Sequence, residues 1–186
     1  MKVFVMGASG SGTSTLGLAL AKKLNIIHAD SDNFYWEETD PPFTSPRSAA
    51  AMHSLFYDLI LHDQFVLSGD MLNWGLPEQD ILNAFSHVLF LYVPWQEREK
   101  RLRNREYGRF GERILQNGDM HETHEGFIEW ASHYDSGLMP GRNKQSQLEF
   151  LKRFNNNGGA ILEIDGLQSA EDILSQCLAF IANPGS

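Results

Sequence analysis

The sequence predicts an α/β fold, a three-layer domain in which helices cover a five-stranded parallel sheet. Two observations carry this prediction. Five short apolar segments rich in β-favouring residues recur along the 186-residue chain, at 2–6, 25–29, 65–67, 88–93 and 160–164. Segments with helical periodicity lie between them, and strands that alternate with helices require the crossover connections of a parallel sheet.

The N-terminal elements are a strand, a glycine-rich loop and a helix. The run from Lys2 to Met6 is apolar and β-favouring, and Gly7 ends it. After the loop, Leu16, Leu20 and Leu24 recur every four residues. This spacing predicts a helix with one apolar face.

The middle of the chain continues the alternation. The second strand covers residues 25–29, and prolines mark a loop near residues 40–46. We expect a helix from Ser45 or Pro46 to about His62. The third strand then ends in Ser68-Gly69-Asp70.

The C-terminal half adds two strands and an insertion. The fourth strand ends at Pro94, a charged helix is expected over residues 96–106, and the last helix shows an apolar stripe through Ile173, Cys177 and Ile181. Residues 107–143 fit no strand–helix alternation. We expect them to be an insertion over the carboxyl edge of the sheet, where open α/β folds bind ligands.

The amino-acid composition restricts the classes of protein to which this chain can belong. Hydrophobic residues make up 42% of the chain and charged residues 21%, which predicts one globular domain over residues 1–186. A lone cysteine excludes a disulfide scaffold, and the short apolar N-terminus is no signal peptide or membrane span. We therefore expect a cytoplasmic protein that does not engage membranes.

The charge is unevenly distributed. The net charge of −9 argues against general nucleic-acid binding, because that binding neutralises phosphates. Residues 98–113 nevertheless carry seven basic and three acidic side chains, whereas the segments on either side are acidic. A solvated helix face is the simplest interpretation of this basic segment.

The glycine-rich loop matches a phosphate-binding P-loop, G-x-x-x-x-G-K-[ST], at every position but one. Gly7, Gly12 and Ser14 fit the pattern, and Thr13 occupies the lysine position. Backbone N–H groups of such a loop converge on a phosphate at the positive end of a helix, and Ser14 would bind Mg²⁺. The predicted nucleotide-binding residues are Gly7, Ser9, Gly10, Ser11, Gly12, Thr13, Ser14 and Thr15.

The missing lysine needs a replacement. Lys22 and Lys23 lie too far along the helix to reach back. The basic segment is the obvious source of another cation, because guanidinium groups bind phosphates bidentately.

These features resemble the P-loop small-molecule kinases, the group of adenylate, shikimate and nucleoside kinases. The resemblance covers most of the chain and rests on the loop of residues 7–14, Asp30-x-Asp32, the arginine-rich segment and the loop after the fifth strand. It implies strand order 2-3-1-4-5, an acceptor-binding region at 34–62, a helical lid insertion at 107–143, and the cofactors ATP and Mg²⁺.

The resemblance also assigns roles to two acids. Asp30 would help hold Mg²⁺ or activate the acceptor hydroxyl, and Asp32 would bind acceptor hydroxyls. Capping of the turn after the strand is the alternative role for both carboxylates.

Further acceptor contacts are expected from Trp36, Arg47, Gly69 and Asp70. An aromatic side chain beside these acids suits a ring-shaped acceptor, and Arg47 could bind an acceptor phosphate. Core packing of Trp36 and a solvated position for Arg47 are the competing interpretations.

Three arginines are the predicted phosphate contacts, namely Arg105, Arg109 and Arg142. In the transition state they would neutralise charge on the transferred phosphoryl group. Arg98 and Lys100 are instead expected on a solvated helix face, paired with neighbouring glutamates.

Three functions remain open from the sequence. The first is a kinase that phosphorylates a nucleoside or nucleotide, the second a nucleotide-binding regulator with little turnover, and the third a kinase for a non-nucleotide alcohol. A small-molecule acceptor and a monomer or homodimer are expected for the kinases.

Overall fold

The computed structural model describes residues 1–40, 42–138 and 140–183. Its centre is a five-stranded parallel sheet in the order β2-β3-β1-β4-β5, which confirms the predicted fold class. The strands are β1 Lys2–Gly7, β2 Ile27–Asp30, β3 Phe65–Gly69, β4 His87–Tyr92 and β5 Ala160–Asp165.

Helices connect the strands and cover both faces of the sheet. The elements are α1 Thr13–Leu24, α2 Ser31–Tyr35, α3 Ala49–Ile60, α4 Glu78–Ala84, α5 Trp95–Phe110, a 3₁₀ helix at Gly111–Ile114, α6 His121–Ser132, α7 Lys144–Asn156 and α8 Ala170–Ala182. Helix α3 begins later than predicted, because the Ser48 side chain accepts a hydrogen bond from the Ala51 N–H and caps the helix there.

The two faces of β1 belong to two separate cores. Phe4 and Met6 point to the layer that contains α3, α4 and α7. Val3 and Val5 point to the layer formed by α1 and α8. This alternation follows from the two-residue period of a strand, and burial on both faces explains the continuous apolar run in the sequence.

The predicted insertion at 107–143 is mainly helical. Helix α5 runs four residues past its predicted end, and the 3₁₀ helix and α6 follow it. A small apolar cluster of Leu102, Ile128 and Ala131 packs α6 against α5. Within the described part of the chain, no helix has the length and apolar composition needed to cross a membrane.

Candidate active site

Tight packing and left-handed backbone angles shape the loop between β1 and α1. Gly10 and Gly12 have φ angles of 82° and 99°, which favour glycine. A Cβ atom on Gly10 would lie 2.9 Å from the Arg98 carbonyl oxygen, and one on Gly7 would collide with the Leu91 carbonyl. The glycines that the motif requires are therefore also required by this structure.

The amino end of α1 is open for an anion. No side chain caps it at Gly12, and its first turn contains no acidic residue. Ser14 and Thr15 are exposed at this end. The buried Ser11 hydroxyl has no hydrogen-bond partner among the described residues. Free backbone donors at a helix N-terminus attract phosphate, so the loop fits the group that its sequence predicts.

Arg98 overturns an expectation from the sequence. Its side chain is 0% exposed, whereas the helical spacing predicted a solvated position. Its guanidinium donates hydrogen bonds to the carbonyl oxygens of Val93, Ala131 and Ser9, at 3.0, 3.1 and 3.5 Å. It also forms an ion pair with Asp135 at 2.9 Å. These partners replace the hydration that a buried cation loses. Lys100, in contrast, is exposed as expected.

Arg101 supports the P-loop from the next turn of α5. Its guanidinium donates to the carbonyl oxygen of Ser11 at 3.5 Å and to that of Gly166 at 3.2 Å. Gly166 follows β5, so Arg101 joins the P-loop to the loop after the fifth strand. Arg98 and Arg101 therefore hold the loop through its carbonyl oxygens. Within the loop, the Ser11 N–H donates to the Ala8 carbonyl oxygen at 3.1 Å.

Arg142 reaches the P-loop from the distant part of the chain. Its Nη1 lies 3.4 Å from the Ser9 hydroxyl, and its Nε lies 3.9 Å from the Asp70 carboxylate. The side chain is only 16% exposed. Among the three arginines predicted to bind phosphate, it is the one for which the structure gives a direct P-loop contact.

A buried polar network fixes Asp70. The Gln147 amide donates to both the Asp70 carboxylate and the Gly7 carbonyl oxygen, and the Tyr134 hydroxyl donates to the Gln147 side-chain oxygen. Burial and the nearby Asp70 charge raise the pKa of Tyr134. The tyrosine therefore stays protonated and acts as a donor at neutral pH.

The sheet register places Asp30 beside Ser68. These residues are partners in the β2–β3 pairing, and the Ser68 hydroxyl donates to the Asp30 carboxylate at 3.2 Å. His28 Nε2 lies 2.9 Å from the same hydroxyl oxygen. Burial lowers the pKa of His28, although the Asp30 charge opposes that shift. Asp30 also accepts a hydrogen bond from the Asp32 N–H at 3.0 Å, so its carboxylate caps α2.

The charges of several predicted site residues act on Asp32, and the region around its carboxylate is called the cleft below. The side chain is exposed, and desolvation by surrounding protein raises its pKa. The charges of Arg142, Arg105 and Arg109 oppose the shift, and that of Asp30 adds to it. Carboxylates and arginines from distant sequence segments therefore act on one another here.

Arg105 and Arg109 share one buried carboxylate. Glu106 accepts from Arg105 at 2.8 Å and from Arg109 at 3.2 Å, and its side chain is only 9% exposed. The Arg109 guanidinium also lies 5.2 Å from the centre of the Phe43 ring. Since two cations share one anion, this part of α5 retains an excess positive charge.

Aromatic rings contact one another in and beside the predicted acceptor-binding region. Trp36 contacts the rings of Tyr35 and Phe43, with centroid separations of 4.7 and 6.3 Å. Tyr35 in turn lies 6.0 Å from Trp74, which also packs on the core. Arg47 stands before α3 rather than within it and forms an ion pair with Glu37 at 2.6 Å.

Gly69 allows two strand ends to approach closely. Its φ angle is 112°, and a Cβ atom there would overlap the Ser31 hydroxyl. That hydroxyl accepts a hydrogen bond from the Asp70 N–H at 3.0 Å. Gly69 thus shapes the cleft through its backbone.

Several participants were missed by the sequence analysis. Ser68, Gln147, Glu106, Arg98 and Arg101 all contact predicted site residues. Ser68 had a detectable signal, because it lies beside Gly69 at a strand end. The other four lie in helical, polar sequence that does not reveal which face turns inward. Across residues 1–40, 42–138 and 140–183, no group of three or more His, Cys, Asp or Glu side chains is arranged to hold a metal ion.

Comparison with known proteins assigns the chain to a family. No protein-family model matches it. The uncharacterized protein YqaC of Bacillus subtilis (strain 168) is 39% identical over 143 residues, which cover 76% of this chain and 77% of that protein. The chain belongs to the YqaC family.

Solved structures show the fold that this YqaC family member adopts. Shikimate kinase from Bacteroides thetaiotaomicron matches with a TM-score of 0.54 at 18% identity, over 98% of both chains. Shikimate kinase from Acinetobacter baumannii, in complex with shikimate, also gives 0.54, at 17% identity, over 99% of this chain and 94% of the other. Deoxyadenosine kinase from M. mycoides gives 0.53 at 14% identity, over 98% of both chains. The fold is therefore that of P-loop kinases for small molecules.

Proposed function

We propose that this protein is a Mg²⁺-dependent kinase that transfers the γ-phosphoryl group of ATP to a nucleoside- or nucleotide-type acceptor. The observation that carries the proposal is the contact of Arg142 with Ser9. It brings a cation to a P-loop whose lysine position holds Thr13, beside a cleft that contains two carboxylates. A loop of this shape with a fixed cation meets the electrostatic needs of phosphoryl transfer.

The triphosphate side uses the P-loop and α1. The N–H groups of Ser9, Gly10 and residues 12–15 would bind the phosphate oxygens, and the helix dipole adds to their attraction. The free Ser11 hydroxyl and the open amino end of α1 fit this role. Arg98 and Arg101 keep the loop in shape from its other side.

Two oxygen donors suit Mg²⁺. Ser14 is exposed at the amino end of α1, and Asp30 is the last residue of β2, at the carboxyl edge of the sheet. Mg²⁺ in nucleotide sites takes few protein ligands and keeps waters and phosphate oxygens, so this small set is adequate. When bound, Mg²⁺ neutralises charge on the β- and γ-phosphates.

Asp30 is the proposed base. Its carboxylate would accept the proton of the acceptor hydroxyl while that oxygen bonds to the γ-phosphorus and the bond to the ADP oxygen breaks. Hydrogen bonds from Ser68 and the Asp32 N–H fix its orientation. Asp32 would hold other hydroxyls of the acceptor.

The arginines supply charge stabilisation. Arg142 would contact the phosphates above Ser9, and Arg105 and Arg109 would approach from α5. The charges of all three arginines lower the pKa of Asp32, which supports a shared role near that carboxylate.

Turnover with a panel of acceptors tests the proposal. The protein is incubated with Mg²⁺, ATP and each of several nucleosides, nucleoside monophosphates and cyclic polyols, and ADP formation is followed. We expect acceptor-dependent ADP, and we expect Asp30→Asn to lower kcat by at least about 100-fold, the typical contribution of a base. Asp63→Asn is a control, because this acid follows α3 at the opposite edge of the sheet. ATP binding with no acceptor-dependent ADP would refute the kinase.

A nucleotide-binding regulator is the second candidate. Thr13 favours it, because the P-loop lysine contributes to turnover as well as to binding. Tight Mg-ATP binding without turnover for any acceptor in the panel would support that function instead.

A further inference from the structure

We infer that Asp70 is a positioning residue, whose buried carboxylate holds the Arg142 guanidinium at the P-loop and does not contact the acceptor. The inference deepens the proposed function and rests on it, because it assigns a support to the cation that replaces the P-loop lysine. It follows from a contact between two side chains of distant segments. The Asp70 carboxylate lies 3.9 Å from Arg142 Nε, and the two side chains are only 6% and 16% exposed.

The backbone around Arg142 does not fix the direction of its side chain. Arg142 stands in a loop before α7, and Asn143 caps that helix. The Trp130 indole N–H donates to the Pro140 carbonyl oxygen at 3.0 Å, so the loop is attached to α6. This contact restricts the loop backbone, whereas the long arginine side chain retains many rotamers that cost entropy to restrict. A separate anchor for the guanidinium is therefore needed.

The two contacts of Arg142 involve different parts of its guanidinium. Nε faces the Asp70 carboxylate, and Nη1 donates to the Ser9 hydroxyl at 3.4 Å. Among the described residues, Nη2 has no hydrogen-bond partner. The carboxylate thus holds the nitrogen nearest the stem, and the terminal nitrogens are left for Ser9 and a phosphate.

Hydrogen bonds from two segments fix the Asp70 carboxylate. Oδ1 accepts from the Leu72 N–H at 2.9 Å, and Oδ2 accepts from the Gln147 amide. The Asp70 N–H donates to the Ser31 hydroxyl at 3.0 Å. Oδ2 is also the oxygen that faces Arg142. The position of the carboxylate is therefore set by the end of β3 and by α7, independently of any ligand.

Gln147 connects this carboxylate to the P-loop. Its side chain is 0% exposed, and its amide also donates to the Gly7 carbonyl oxygen at 3.4 Å. The Tyr134 hydroxyl donates to the Gln147 side-chain oxygen at 2.6 Å, which orients the amide. One amide therefore holds both the start of the P-loop and the support of its cation.

The same partners exclude Asp70 from the role of an acceptor contact. Both carboxylate oxygens already accept hydrogen bonds from the protein. Within the described part of the chain, Arg142 is the only side chain that forms an ion pair with it. An acceptor hydroxyl would have to displace one of these partners. The role that the sequence predicted for Asp70 is therefore replaced by an indirect one.

A double-mutant cycle with Arg142 tests the inference. The values of kcat and KM for ATP are measured for Asp70→Asn, Arg142→Met and the double variant. We expect Asp70→Asn to lower kcat/KM by about 5- to 30-fold, with the loss divided between kcat and KM as in Arg142→Met. In the Arg142→Met background the same change should cost less than about twofold, because no guanidinium is left to position. Losses that multiply in the double variant would overturn the inference.

The exposed pair of Asp119 and Arg113 in the same insertion is the matched control. Asp119→Asn should leave kcat/KM within about twofold, and thermal denaturation checks that each variant folds. Tyr134→Phe replaces Asp70→Asn in the cycle if the latter does not fold, because it removes only the hydroxyl that orients Gln147. Its loss of about threefold or more should likewise disappear in the Arg142→Met background. A loss that persists there would overturn the inference.

A spectroscopic measurement separates this inference from the proposed function. In isotope-labelled protein, the NMR signal of the Arg142 Nε–H is identified as the one that Arg142→Met removes. We expect Asp70→Asn to shift this signal and Asp119→Asn to leave it unchanged, with neither nucleotide nor acceptor present. A shifted signal without acceptor-dependent ADP would refute the kinase and leave the positioning role supported. An unchanged signal, with turnover preserved in Asp70→Asn, would refute the positioning role and leave the kinase standing.

Discussion

The Arg142→Met variant is the most direct test of the replacement cation. Methionine retains much of the apolar stem and removes the guanidinium that lies 3.4 Å from Ser9. A hydrogen bond that involves a charged group contributes about 1.5–3 kcal/mol, and about 1.4 kcal/mol corresponds to a tenfold change. We therefore expect kcat/KM for ATP to fall roughly 10- to 150-fold.

The fold should tolerate this change. Asp70 loses a cation at 3.9 Å but retains hydrogen bonds from Gln147 and the Leu72 N–H. Arg113→Met is the matched control, since Arg113 is exposed and pairs with Asp119 in the same insertion. Steady-state kinetics and thermal denaturation of both variants check the expectation.

Restoration of the P-loop lysine completes the test. If Arg142 replaces the missing charge, Thr13→Lys should recover at least about tenfold of the activity lost in Arg142→Met, because the lysine of a P-loop reaches the β- and γ-phosphates. A loss below threefold in Arg142→Met, with the fold intact, would refute the reasoning. Recovery by a Thr13→Met control as large as that by Thr13→Lys would also contradict it.

Three further variants test the structure around the cleft. Gly69→Ala should lower the free energy of unfolding by about 2–5 kcal/mol, because of left-handed backbone strain and the overlap with the Ser31 hydroxyl. Gly126→Ala, in the open face of α6, should be neutral or should stabilise the fold by up to about 1 kcal/mol. Urea denaturation of the two variants compares these effects. Asp32→Asn should raise Tm at pH 7 and lower acceptor turnover. The raised pKa means that the ionised carboxylate costs stability above its folded-state pKa, so the Tm difference should shrink as the pH falls through that pKa and should vanish below about 4, the pKa of the unfolded chain. Arg98→Met should lower the free energy of unfolding by about 3 kcal/mol or more, because three carbonyl groups and Asp135 lose a buried donor; an unchanged denaturation midpoint would contradict this.

The sheet was predictable because its signals are local. The central strands β1, β3 and β4 are apolar runs that stay buried on both faces, and alternation with helices restricts the topology. The P-loop was equally visible, since its glycines satisfy backbone angles that belong to the loop itself. Both predictions required no knowledge of distant contacts.

The charged helix α5 shows which features of the site the sequence could not predict. Arg98, Arg101, Arg105 and Arg109 form one row at helical spacing, yet the structure buries the first, joins the second to two loops and leaves the last two exposed. Spacing identifies a common face but not what covers it. Here the end of α6 covers only the first turns, and that contact depends on residues more than thirty positions away.

The buried Arg98 also determines which segments of the molecule can move independently. Its guanidinium connects Ser9 of the P-loop to Ala131 and Asp135 near the end of α6. Separation of these segments would leave the carbonyl groups without their donor, or the buried guanidinium without its acceptors, and either outcome costs free energy. We therefore expect the P-loop and the end of α6 to move as one body. Any closure over a bound nucleotide then requires bending of the chain between Tyr107 and Met120. The P-loop beneath the phosphates keeps its position during that motion.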